Sequence, residues 1–494
     1  MRSATIHRLR PAADTAARSD GKADAEAKAN AAEIAAIEDT LEGSARGFTA
    51  NILAQAADIF SSDGERQRTQ RNAILAFAVR CTSAGLLYLS QIVLARWMGT
   101  NDYGIYVFVW TWVLILGGLS HLGMNLATIR LSPTYREAGD FDRLRGLTRG
   151  ARLMALGCGT LIMLAGIAGL TLFKSHIEGQ FVLPLYLALV CVPLYALTDV
   201  QDGIGRGNAW MGIALTPPYI LRPVLVLASM FAAHAAGLPM EATTAAGAAI
   251  VATWGSAIIQ TLFLNRRLAS SVPTGPRQYE FGPWLKGSLP FLVILACELA
   301  LQNTDILVIS RYLTPADTGI YFAAGKTMAL IMFVHYAVGS AVANKFAALN
   351  ARGEKEQLRL FVKDAVNWTF WPSLAGAAII LIAGKPLLSL FGPQFADGYP
   401  VMCILVVGFL FRSSMGPAEF LLNMLGEQAL CATVLASAAI LNVALNFALV
   451  PHYGLIGATI ATSTALIMAA LMNYIVVWRR LEIEIAIWKN LPKF

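Results

Sequence analysis

Seven polar or ionisable side chains interrupt otherwise apolar stretches of this 494-residue sequence: the cations Arg80, Arg222, Lys326 and Arg412, and the group Glu298, Gln302 and Asp305. A charge at the centre of a bilayer costs about 2.5–3.5 kcal/mol on insertion scales, so such residues face a bundle interior or a wet cavity. Glu298, Gln302 and Asp305 stand at i, i+4 and i+7, which puts all three on one helical face. At 1.5 Å rise per residue, Glu298 lies about 15 Å from the end of its stretch at Ser288, near the bilayer centre. A carboxylate withdrawn from water can hold a coupling proton or Na⁺, so this stripe is expected to be ion-coupling or to line a lumen. Fixed cations in a wet cleft suit a phosphate-bearing headgroup, Arg through bidentate contacts. That assigns Arg80, Arg222, Lys326 and Arg412 to substrate binding. The plainer alternative is internal pairing, for example Lys326 with Asp305. Glu419 adds one more intramembrane acid, and His121 and His335 read as satisfied interior residues.

No catalytic constellation accompanies them. The sequence has no GxxxxGK[ST], HExxH or GxSxG. Its six cysteines (Cys81, Cys158, Cys191, Cys297, Cys403, Cys431) all fall in apolar stretches without CxxC or Cys/His spacing, and read as small packing residues. No cofactor, no metal and no enzymatic activity are expected.

The elements that position these side chains are membrane helices. The chain is 56% hydrophobic and only 14% charged, against roughly 25% charged in a soluble domain. Its formal charge of +7 is scattered in short clusters between apolar stretches, which fits membrane loops and not a nucleic-acid patch. Residues 1–46 are polar and contain no signal-peptide core, so a mostly disordered tail over 1–72 is expected. A short interfacial helix through Phe48, Ile52, Ile59 and Phe60 precedes the first span.

A spanning helix needs about 20 mostly apolar residues. Twelve stretches qualify: Ala73–Trp97, Gly104–Thr128, Ala151–Phe173, Phe181–Leu197, Gly212–Ala233, Ala242–Leu264, Ser288–Ser310, Gly319–Val342, Val366–Gly384, Val401–Leu422, Ala429–Val450 and Leu455–Trp478. With both termini cytoplasmic, the inner segments collect 23 Lys and Arg, while the outer ends hold only Arg96, Lys174, Arg311 and Lys385. One missed span would scramble every later loop, so this bias supports the count. Pro193, Pro217, Pro218, Pro223, Pro290, Pro372 and Pro417 fall in or beside spans and predict kinks.

The chain also repeats. Leu94–Tyr106, LARWMGTNDYGIY, aligns with Ile309–Tyr321, ISRYLTPADTGIY, position for position and without a gap. Arg96 matches Arg311, Asp102 matches Asp317, and Gly104-Ile105-Tyr106 matches Gly319-Ile320-Tyr321. Arg96 and Arg311 are expected to snorkel or to pair with these aspartates. After a one-residue slip, Gly139, Leu144 and Arg145 match Gly353, Leu358 and Arg359. Six spans separate the copies, so both halves enter the membrane in the same direction, and a cleft between two bundles is expected. The first helix would offer Ser83, Leu87 and Ser90, with Arg80 a turn below, where the seventh offers its acidic stripe. The fold class is all-α and polytopic: two parallel six-helix lobes over 73–284 and 285–480, then a cytoplasmic tail, 481–494.

The pattern ARWMGTNDYGIYVFVWTWVLI, echoed by ISRYLTPADTGIYFAAGKTMALI, resembles the polysaccharide transporters. These are the O-antigen and exopolysaccharide flippases of the multidrug/oligosaccharidyl-lipid/polysaccharide superfamily, and the resemblance covers roughly residues 72–480. It implies a MATE-like fold that alternates between inward-facing and outward-facing states in a bacterial inner membrane. The implied substrate is an undecaprenyl-diphosphate-linked oligosaccharide, moved from the cytoplasmic to the periplasmic leaflet for envelope or extracellular polysaccharide synthesis. Implied partners are that lipid, the membrane lipids, a polysaccharide polymerase and glycosyltransferases. Cationic lumen residues of the family correspond in kind to Arg80 and Lys326. Lipid II flippases of the superfamily typically have fourteen helices, which twelve spans disfavour. Two alternatives stand beside this reading. A multidrug or cation exporter of the same fold should carry a more acidic lumen. A polysaccharide polymerase or ligase should carry a long periplasmic loop, and the longest here, Lys385–Pro400, is too short for that.

Overall fold

The computed structural model describes the backbone of residues 65–490 and the side chains of Val79 and of Thr82 onward. The expected N-terminal tail, its interfacial helix at Phe48, Ile52, Ile59 and Phe60, and the Arg80 side chain lie outside the described residues. Contacts divide the chain into Met1–Leu75 and Ala76–Phe494, and the second unit carries the bundle. Its helices follow in order: α1 (Glu65–Ser120), α2 (Met124–Glu137), α3 (Phe141–Leu172), α4 (Gly179–Leu189), α5 (Val192–Gly207), α6 (Met211–Thr216), α7 (Arg222–Ala235) and α8 (Ala242–Ser271). The second half continues with α9 (Phe281–Tyr312), α10 (Pro315–Ala329), α11 (Met332–Ala351), α12 (Lys355–Ile382), α13 (Gly384–Ser389), α14 (Tyr399–Ser414), α15 (Ala418–Met424) and α16 (Gln428–Leu481).

With 56 and 54 residues, α1 and α16 would each run about 80 Å if straight, against a hydrocarbon core of roughly 30 Å. Each is instead two spans. Helical geometry breaks at Gly99 (φ 75°) and at Gly454 (φ 57°), backbone conformations that favour glycine. Past Gly99 the chain doubles back, because the Tyr103 hydroxyl donates to Gln91 Oε1 at 2.9 Å. A straight helix would hold those residues about 18 Å apart. Past Gly454, a Cβ on Gly457 would lie 2.5 Å from the Leu449 carbonyl oxygen. Among the described residues nine helices are long and apolar enough to cross a membrane, or ten with the pair α4–α5, bent by 43°, taken as one span. Dividing α1 and α16 at their glycines makes twelve among the described residues, as the sequence predicts.

Several spans are broken inside. The fifth passes through a π-helical turn at Pro217–Leu221, where two prolines remove backbone donors. The tenth breaks between α14 and α15, beside Pro417. The fourth differs from its expected end at Leu197, since α5 continues to Gly207 and carries Asp199, Asp202 and Arg206 into the bundle. Asp202 and Arg206 pair at i, i+4, 2.5 Å apart, which lets a polar end remain helical.

The closest helix pairs lie within halves. In the first, α2 and α3 pack on α5, and α7 packs on α8; in the second, α16 packs on α9 and α14, and α11 packs on α12. Residues Ile483–Asn490 do not leave as a free tail. Ile485, Ala486 and Ile487 are buried in the second-half core with Phe346 and Val477, and Asn367 Nδ2 donates to the Asn490 carbonyl at 2.8 Å.

The repeated motif joins the halves at the end remote from the basic loops. A Cβ on Gly104 would overlap the Pro315 carbonyl oxygen, and one on Gly319 would lie 2.8 Å from that of Thr100. Thr100 and Pro315 are themselves equivalent positions of the repeat, so the two copies cross at a pseudo-two-fold axis with a glycine from each on it. Tyr103, Tyr321, Phe391 and Phe395 close one apolar layer around this crossing. The expected pairing of Arg96 and Arg311 with the repeat aspartates is corrected here. Asp102 accepts from the Ala242 backbone N–H and so caps α8, and Asp317 forms a capping box with Thr314 on α10. Arg96 instead reaches the Leu390 carbonyl, and Arg311 lies over the Tyr312 ring. Unsatisfied N–H groups at a helix start outcompete an exposed ion pair for these carboxylates.

Candidate substrate cleft

The polar stripe of α9 addresses the second half. At its outer end Asp305 is buried, accepting from the Tyr321 hydroxyl at 2.8 Å and from the Ile306 N–H at 2.9 Å. Tyr321 lies within 3.3 Å of the Thr462 hydroxyl, which ties α9, α10 and α16 together. Lys326 lies in the field of Asp305, but its Nζ stands over the Phe322 ring at 4.8 Å. No ion pair joins Lys326 to Asp305 among the described residues, and Lys326 is exposed. At the inner end Glu298 interacts electrostatically with Glu419 of α15. Glu298 and Gln302 are exposed. The two ends of the stripe thus act on groups of the second half, Glu419 and Lys326.

Arg412 and Glu419 form a pair across the α14–α15 break: Arg412 Nη2 donates to both Glu419 carboxylate oxygens at 2.8 Å. This cation is therefore engaged within the protein. Arg222 is not. It lies over the rings of Tyr195 at 4.9 Å and Trp110 at 5.9 Å, and its Nη1 has no hydrogen-bond partner among the described residues. Asp199 stands in its field, and His121 Nε2 lies 3.7 Å from Asp199 Oδ2. Arg206 joins Asp202 to Asn125, whose Oδ1 accepts from Nη2 at 3.2 Å.

The candidate cations thus take different places. Arg222 sits in an aromatic frame of the first half, Lys326 stands beside the acidic stripe of the second, and Arg412 is held by Glu419. Sequence reasoning missed Asp199, Asp202, Trp110 and Tyr195. The acidic pair carried a usable signal, since D199xxD202 followed by Arg206 at i+4 is helical spacing. The aromatics carried none, because a tryptophan or tyrosine in a span looks like core.

The cleft between the halves is closed at one end. Tyr88 and Thr327 hydroxyls lie 3.0 Å apart, and Tyr88 packs edge-on against Phe391 at 5.6 Å. At the basic end the first half meets α9, where a Cβ on Gly123 would lie 2.5 Å from the Ser288 carbonyl oxygen. Among the described residues no extensive packing joins α2–α8 to α11, α12 or α15 there.

Comparison with known proteins matches this architecture. The family model described as polysaccharide biosynthesis protein matches residues 69–343, more than half of the chain. The chain is 20% identical over 402 residues to the probable low-salt glycan biosynthesis flippase Agl15 of Haloferax volcanii, covering 80% of each. It is 22% identical over 403 residues to a putative O-antigen transporter of Shigella flexneri, covering 77% of this chain and 90% of that one. Among solved structures, an inward-facing multidrug resistance MATE family transporter of the MOP superfamily superposes with a TM-score of 0.67 at 16% identity, covering 82% of this chain and 98% of that one. The lipid II flippase MurJ in an inward closed conformation gives 0.62 at 16% identity, covering 82% and 87%. The match over residues 69–343, on a MATE-like bundle of twelve spans whose repeat meets itself at Gly104 and Gly319, places this chain in the polysaccharide biosynthesis protein family.

Proposed function

We infer that this chain is a flippase for an undecaprenyl-diphosphate-linked oligosaccharide, carrying it from the cytoplasmic to the periplasmic leaflet of the bacterial inner membrane by alternating access. The observation that carries this reading is the pair of cations in opposite halves of one cleft. Arg222 is framed by Trp110 and Tyr195, and Lys326 stands accessible above Phe322. A diphosphate needs fixed cations and sugar rings need flat apolar faces, and each position supplies one of each. Arg80 extends this set from the first helix, and Arg412 contributes only if Glu419 releases it. Glu298, Gln302 and Asp305 line the path. The relatives in glycan and O-antigen export support the same cargo, and the basic loops support cytoplasmic termini. A polysaccharide polymerase and glycosyltransferases are its natural neighbours in such an assembly line.

The test is flipping of fluorescent undecaprenyl-diphosphate oligosaccharide in proteoliposomes, read as protection from a membrane-impermeant quencher. Arg222→Ala and Lys326→Ala should each slow the rate by about tenfold or more, the worth of one charge-assisted hydrogen bond. Wild-type rates in both variants sink the assignment. The acids of α9 favour a second reading, a cation exporter. Efflux of ethidium from the same vesicles, with no lipid flipping, would establish it instead.

A further inference from the structure

The basic end of the second half holds a small, partly open cavity of about 10 Å³, bordered by His335, Arg412, Glu419 and Asn473. Its free interior suits about one water molecule. Four polar atoms around it make no hydrogen bond among the described residues: both ring nitrogens of His335, Arg412 Nε and Asn473 Oδ1. His335 is only 2% exposed. An imidazole buried with neither nitrogen satisfied is costly, and buried polar groups without protein partners normally hold water or an ion.

The charges decide which. From its own helix, α11, His335 meets the Tyr336 ring; from α14, Arg412; from α15, Glu419 and the Phe420 ring; from α16, Asn473. Arg412 and Glu419 are the charged groups acting on it. Cys431 of α16 contacts the Glu419 backbone, and Glu298 of α9 acts on the Glu419 carboxylate. Within this cluster the Arg412–Glu419 pair is already neutral, so the cavity suits a water rather than an ion, and His335 is its group able to take up a proton.

We propose that this cavity is a one-proton binding site of the second half, in which a water links His335, Arg412 and Asn473 and the exchangeable proton resides on His335. With neutral His335, the water accepts from Arg412 Nε and donates to Asn473 Oδ1 and to an imidazole nitrogen. When a proton arrives from the basic-face solution, an N–H bond forms on that nitrogen. The imidazolium then donates to the water, whose freed hydrogen turns to Glu419, and loss of the proton to solution reverses both changes. Every orphan atom but one ring nitrogen is satisfied in either state. His121 takes the corresponding place in the first copy of the repeat, after its one-residue slip. It faces Asp199 with Arg222 nearby, so each half sets a buried histidine beside a half-buried carboxylate and arginine. The proposal rests on the transport reading only for its consequence, since proton binding itself is independent of cargo.

The test uses the full chain in lipid nanodiscs with ring-¹³C histidine, followed by NMR from about pH 3 to 9. One resonance, absent in His335→Gln, should titrate as a single proton, and Glu419→Gln should displace that titration by about one pH unit or more. Thermal unfolding of each variant confirms that it is folded, and His335→Asn gives a second assignment. A His335 signal that is invariant across the range overturns the proposal. So does a signal that responds to Na⁺ replacing choline but not to pH. In proteoliposomes, His335→Gln should lose the acceleration of flipping by a pH gradient, and a variant that keeps it refutes the site as a coupling device. Wild-type vesicles that titrate by NMR but flip no lipid would refute the cargo and leave the site standing.

Discussion

At the scale of single residues, the same side-chain type takes opposite roles according to what its neighbours leave free. Lys326 and Arg412 are both intramembrane cations, yet Arg412 is fixed by two 2.8 Å contacts to Glu419 while Lys326 forms no ion pair among the described residues and stands over the Phe322 ring. Arg412→Gln should therefore act mainly on stability. Losing one partner of a buried pair costs about 3–5 kcal/mol, and because Glu419 retains about a third of its accessibility, the cost here should be nearer about 1–3 kcal/mol. Thermal unfolding of Arg412→Gln, Glu419→Gln and the double variant checks this. The double variant should lose less than the sum of the singles, and strict additivity would show that the two side chains do not interact. Lys326→Arg should keep most of the flipping that Lys326→Ala loses, because the charge remains. A loss as deep as that of Ala would mean the ammonium shape, not its charge, is what the cargo reads.

Among elements, the repeat motif has a job that composition cannot reveal. The turns after the first and seventh spans interlock at Gly104 and Gly319, where backbone meets backbone and a methyl has no room. Gly104→Ala should cost about 1–3 kcal/mol, the range for overpacking a tight contact. It should also loosen the seal, read as faster labelling of a cysteine placed at Thr327 from the face opposite the basic loops. Unchanged melting and unchanged labelling would mean that the crossing is not close-packed. The extension of α5 to Gly207 shows the reverse case, a helix kept regular through a polar end because Asp202 and Arg206 neutralise each other one turn apart.

For the whole molecule, an apolar layer of Tyr103, Tyr321, Phe391 and Phe395 closes one end of the cleft, and the basic end has no matching closure among the described residues beyond the contact of α2 with α9. Cysteines at Glu298 and Gln302 should therefore react with a water-soluble maleimide added on the basic face and resist one added on the other. Equal labelling from both faces, or none from either, would contradict a one-sided wet cleft. Addition of a lipid-linked oligosaccharide should slow the permitted reaction, by occupancy or by shifting the population toward the opposite opening.

The sequence by itself determined the number of spans, their parallel repeat and the identity of the acidic stripe. These depend on length, hydropathy, loop charge and helical spacing, which are local and additive along the chain. It also led to the expectation that the polar residues face inward, since lipid offers no partner for a charge. Tertiary structure decided which partners each cation meets, that two repeat aspartates cap helices in place of binding arginines, and that His335 borders a void with neither ring nitrogen hydrogen-bonded to the protein. Those outcomes turn on which of several polar partners lies nearest after packing, and residues such as Arg412 and Glu419, or Asp102 and Ala242, meet only when distant spans close around them.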